Sequence, residues 1–145
     1  MDKKNYLPWL IARLLLGGIF IFAGFLKLSQ PVEVFRGMIA AYGVIPYLWI
    51  GPIAHISPWF ELIAGVFLVV GYFPRGAATV LGVLCLSFIG LICWSKLNGT
   101  LPANCGCFGE GIHMTPYQMV ILDFLNALLA YRLFQIKKHL WCVAS

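Results

Sequence analysis

Four stretches of about twenty residues, each nearly free of charge, most constrain what this chain can fold into. Each is long enough to carry an α-helix across the hydrocarbon core of a bilayer. They cover residues 7–28, 53–73, 76–95 and 116–135. Only 10% of the 145 residues are charged and 61% are hydrophobic, whereas soluble domains carry about 25% charge. The expected architecture is therefore all-α: one polytopic transmembrane domain over residues 1–145, built as a four-helix bundle with no separate soluble domain.

Local signals sharpen the boundaries. Pro8 suits the opening turn of the first span. The second span can begin as early as Pro46, with a bend expected near Pro58, where the ring removes a backbone donor. Only a few residues around Phe73-Pro74-Arg75 separate the second and third spans, so these must be antiparallel neighbours. Thr115-Pro116-Tyr117-Gln118 reads as a capping box opening the fourth. Between the first two spans, Val32, Val34, Phe35, Met38 and Ile39 give an amphipathic pattern that predicts a short interfacial helix over residues 31–42. Tyr47 and Trp49 then suit the headgroup level. The apolar run after Lys3 and Lys4 is too long for a signal-peptide core, so it is expected to stay as an uncleaved span.

The net charge of +5 comes from basic residues scattered singly. No basic face exists to neutralise phosphates, which excludes nucleic acid as a partner. Lys3, Lys4, Arg75, Arg132, Lys137 and Lys138 fall on one side of the expected bundle, and Lys27, Arg36 and Lys96 on the other. The positive-inside rule then puts both termini in the cytoplasm and both long connections outside, on the oxidising face where disulfides persist.

The second of those connections holds Cys105-Gly106-Cys107-Phe108-Gly109. Two thiols separated by one glycine can close only a small, tight ring, and strain in it makes the disulfide easier to reduce. Disulfide chemistry at a membrane surface is one reading of the pair. A second is a Cu(I) or Zn(II) carrier or non-catalytic scaffold, drawing on Cys105, Cys107, His113 and Met114. A purely structural disulfide is the third. Cys93 reads first as a small residue packed between helices, with a resolving thiol as the sharper alternative; Cys85 reads as core, and Cys142 falls on the reducing side.

Charges inside spans are costly unless paired. Lys27 and Glu61 are expected to pair at the outward end, and Asp123, with Asn126 three residues on, should face the bundle interior. Arg13 falls in the cytoplasmic half of the first span. Two readings of these groups stand side by side: charges that hold the bundle together, and Glu61 or Asp123 relaying protons as thiols are oxidised. Gly17, Gly18, Gly24, Gly65, Gly71 and Gly82 are expected to allow close helix packing.

Arg13, Gly17, Gly24 and Lys27, then Glu61-Leu62 with Gly65 and Gly71, then Cys105-Gly106-Cys107-Phe108-Gly109, together resemble the MauE branch of the DoxX-like membrane proteins. The resemblance covers nearly the whole chain, and the cysteine string is its specific part. It implies a four-helix membrane bundle of the bacterial cytoplasmic membrane. It implies a role alongside a thioredoxin-like extracytoplasmic partner in maturing a disulfide-containing protein, as in methylamine utilisation. DoxX-type relatives bring quinone-coupled thiol oxidation into the comparison, so a quinone is the cofactor implied. On this view Cys105 and Cys107, with Glu61 and Lys27, are the candidate catalytic residues of a thiol–disulfide oxidoreductase. Whether such a chain is itself an enzyme is left open by the resemblance.

Overall fold

The computed structural model describes residues 3–100 and 114–135. Among these it contains five α-helices and no strand: α1 Lys3–Ser29, α2 Val32–Ala41, α3 Tyr47–Val70, α4 Pro74–Leu97 and α5 Pro116–Gln135. Segments Leu7–Ser29, Tyr47–Val70 and Pro74–Leu97 are each long and apolar enough to cross a membrane. The fourth expected span, α5, is helical but falls outside that set. It carries Gln118, Asp123, Asn126 and Arg132 within 20 residues, which dilutes its apolar character.

Helix α1 packs on α3, α3 on α4, α4 on α5 and α5 back on α1, while α2 lies against α1 and α3. The α3–α4 turn is fixed by a helix cap. Gly71 adopts φ 82°, and the amides of Gly71 and Tyr72 both donate to the Phe67 carbonyl at 3.0 Å. The Phe67 and Tyr72 rings meet edge-on across this cap, the apolar contact expected of a Schellman turn. Gly71 thus terminates a helix rather than easing helix packing. Pro74 then opens α4, two residues earlier than the sequence suggests.

Other boundaries moved for similar local reasons. Because α1 starts at Lys3, Pro8 lies inside the helix rather than in its opening turn. Helix α3 begins at Tyr47 and runs unbroken through Pro52 and Pro58. The capping box of α5 forms as expected: the Thr115 amide donates to Gln118 Oε1 at 3.2 Å, and the Gln118 amide donates to Thr115 Oγ1 at 3.4 Å. The expected helix between the first two spans is α2, whose Phe35 and Ile39 pack against Ile50 and Ala54 of α3.

The α1–α3 contact is close because three glycines remove side chains from it. A Cβ on Gly17 would lie 2.9 Å from the Gly65 carbonyl oxygen, and one on Gly65 would lie 2.9 Å from that of Gly17. One on Gly24 would stand 3.0 Å from both the Leu62 nitrogen and the Pro58 oxygen. Gly18 does not share this role, since nothing lies within 4 Å of its Cβ direction. Glycine is therefore needed on one face of α1 and is idle beside it.

This contrast is testable. Gly65→Ala should drive backbone against backbone and cost about 1–3 kcal/mol, the usual penalty of overpacking. Gly18→Ala should leave stability unchanged. Thermal unfolding of the two purified variants in one detergent checks the pair.

Candidate functional site

The antiparallel packing of α1 on α3 brings together two charges that the sequence leaves 34 residues apart. Lys27 Nζ donates to Glu61 Oε1 at 2.8 Å and to Oε2 at 2.9 Å. Both residues are buried, Lys27 at 5% exposure and Glu61 at 1%. The geometry follows from the glycines. Gly24 lies one turn before Lys27 and rests on Pro58 and Leu62, which flank Glu61. Backbone closeness at Gly24 thus sets the reach of the lysine.

Aromatic faces complete the ammonium's surroundings. Lys27 Nζ lies 5.1 Å from the ring centroid of Phe35 on α2 and 5.2 Å from that of Phe88 on α4. Such contacts favour a desolvated cation. On the remaining side, Asp123 and Asn126 of α5 face inward at 6% and 3% exposure. A small cavity of about 20 Å³ separates them from the Lys27–Glu61 pair. All five helices therefore converge here: α1 by Lys27, α2 by Phe35, α3 by Glu61, α4 by Phe88 and α5 by Asp123.

The same end of the bundle is tied together by polar contacts. The Tyr42 carbonyl after α2 accepts from Ser95 Oγ at 3.1 Å and from Thr100 Oγ1 at 2.8 Å. Met114 packs with Ala23, Ile92 and Met119, and Lys96 Nζ stands 5.0 Å from the Tyr117 ring centroid. Thr100 and Met114, which bracket residues 101–113, thus both lie at the Lys27 end. Cys105, Cys107 and His113 fall outside the described residues, as does Cys142.

At the opposite end Arg13 is buried against Gly71, its Nη1 3.2 Å from the glycine's Cβ direction, and Arg75 stacks 4.8 Å above Phe134. Cys85 is core, at 1% exposure. Cys93 is not packed between helices as expected but exposed. Its neighbour Ile92 and Ser95 take the inward face of α4, so Cys93 is turned outward. Sequence reasoning missed Phe35 and Phe88 as partners of Lys27. The amphipathic face of α2 could have flagged Phe35, while nothing separates Phe88 from the other apolar residues of α4.

A buried ion pair inside helices fit to cross a membrane defines a helical, multi-pass membrane protein. More narrowly, the chain belongs to the family described as Methylamine utilisation protein MauE, which it matches over residues 4–135. It is 33% identical over 146 aligned positions to Protein TlpB of Flavobacterium psychrophilum, a match taking in 94% of this chain and 39% of that protein. It is also 30% identical over 110 positions to Methylamine utilization protein MauE of Paracoccus denitrificans, covering 76% of this chain and 59% of that one. The chain thus spans less than two thirds of the length of either relative. No solved structure matches it.

Removing one partner of a buried pair strands a charge, at a cost of about 3–5 kcal/mol. Glu61→Gln and Lys27→Met should each lose stability on that scale. The double variant should lose clearly less than the sum, because neither charge is then left alone. Thermal unfolding of all four proteins gives this coupling directly.

Proposed function

We propose that this protein is a membrane thiol–disulfide redox protein, with Cys105 and Cys107 as the exchanging pair. The pair trades disulfides with a thioredoxin-like extracytoplasmic partner and supports maturation of a secreted disulfide-containing protein, a role in keeping with membership of a family described by methylamine utilisation. The observation that carries the reading is the common placement of Thr100 and Met114 at the Lys27–Glu61 end. Thirteen residues, both thiols among them, separate these two positions in the sequence.

In this reading α5 is a fourth span and the chain forms one domain. Both termini are cytoplasmic and the thiols face outward, in keeping with Arg13 and Arg75 at the opposite end. Lys27 has its charge compensated by Glu61, so in this reading the pair first serves to hold α1 and α3 together at the end where Thr100 and Met114 lie. Lys96, whose ammonium stands over Tyr117, is the cation at this end that favours a thiolate. A membrane quinone is the proposed electron carrier. In Protein TlpB the matched region is 39% of a longer chain. A region like this one is there joined to further sequence, which supports a module that works with a partner.

Cells carrying Cys105→Ser or Cys107→Ser test the reading. One of the two variants should accumulate a mixed disulfide with an extracytoplasmic protein, released by reductant and absent from the double variant. If neither variant captures a partner, and the purified protein holds a stoichiometric Cu(I) or Zn(II) that His113→Ala loses, the metal-carrier reading replaces this one.

A further inference from the structure

We infer that the cavity between the Lys27–Glu61 pair and Asp123 is a binding site for one water molecule and one proton, held between the two carboxyl groups. Three observations carry this. The cavity measures about 20 Å³, and a water needs roughly 10–15 Å³ together with two to four polar partners. The polar partners are present: Asp123, Asn126, Lys27 and Glu61 line the cavity together with apolar side chains of α1, α4 and α5. Finally, Asp123 Oδ2 is buried with no hydrogen-bond partner among the described residues. A buried acceptor left empty is a standing cost that a bound water removes.

The proton follows from counting charges. The groups facing the cavity are Lys27 from α1, Glu61 from α3 and Asp123 from α5, and the nearby titratable group of α4 is the Cys85 thiol. Helix α2 adds only the Phe35 ring, on the far side of Lys27. One ammonium thus stands among two carboxyl groups. Both oxygens of Glu61 already accept from Lys27, so the ammonium is spent on that pair. The second carboxyl, Asp123, has no cation of its own, and the compensating charge with a place to sit is a proton. A water in the cavity links it to the free lone pairs of Glu61. Sequence alone suggests that Glu61 or Asp123 handles protons. The structure adds a single shared site, with Asn126 as a further partner and Lys27 as the cation of Glu61 alone.

Infrared spectroscopy of the full chain in lipid nanodiscs tests the site without any reference to thiol chemistry. The wild type should show the C=O stretch of a protonated carboxylic acid that moves down in D2O and is lost in Asp123→Asn. Should that variant fail to assemble, Asp123→Glu should displace the same band. Ala23→Val fills the cavity from α1 without altering a polar group. It should move the band up in frequency, as the acid loses its water. The Cys105→Ser, Cys107→Ser double variant should keep the band unchanged, which separates failure of this site from failure of the redox reading. Absence of the band in the wild type, its survival in Asp123→Asn, or an unshifted band in Ala23→Val would overturn the proposal.

Discussion

The arrangement of helices at the Lys27 end of this protein depends on one buried ion pair. A lysine and a glutamate inside apolar helices are tolerable only if they find each other, because each alone in hydrocarbon is costly. Lys27 and Glu61 do so with two hydrogen bonds, at 2.8 and 2.9 Å. The requirement fixes more than the two side chains. It sets the register of α1 against α3, and the rings of Phe35 and Phe88 bring α2 and α4 to the same point. A buried pair adds little net stability over a well-packed apolar one. Its effect here is geometric, since slippage of either helix by a turn would strand both charges.

That register is affordable only because the backbones approach closely. Gly17, Gly24 and Gly65 leave carbonyl and amide groups of facing helices about 3 Å from where a Cβ would stand. The glycine contact and the ion pair are thus one device in two parts. The first brings α1 and α3 together, and the second selects which turn meets which. At the other end of the same interface, Arg13 lies against Gly71 at the α3–α4 turn. The result is a closely packed end of the bundle, at which Thr100 and Met114 are both held.

Much of this was legible in the sequence wherever the signal was local or energetically forced. The capping box at Thr115 and Gln118 needs only neighbouring residues to form, and it forms. The pairing of Lys27 with Glu61 and the inward turn of Asp123 follow from the cost of charge in an apolar span. Less was legible where the outcome depends on the rotation of one helix against its neighbours. Cys93 was expected between helices and is exposed, because Ile92 and Ser95 claim the inner face of α4. Gly18 looks like Gly17 in sequence, yet only Gly17 meets another backbone. Phe88 could not be told from any other apolar residue of α4. The cavity beside Asp123 has no sequence signature at all, since it is the space that four converging helices leave over.

An equilibrium redox titration of the Cys105–Cys107 pair tests the central claim most directly. The full chain in nanodiscs is brought to equilibrium with thiol–disulfide buffers of graded potential, and free thiols are then counted by alkylation and mass spectrometry. The account predicts that Cys105 and Cys107 pass together from dithiol to disulfide in one two-electron transition. Cys85, buried in the core, should stay reduced throughout. Both thiols remaining free at every potential, or either pairing instead with Cys93, would contradict it.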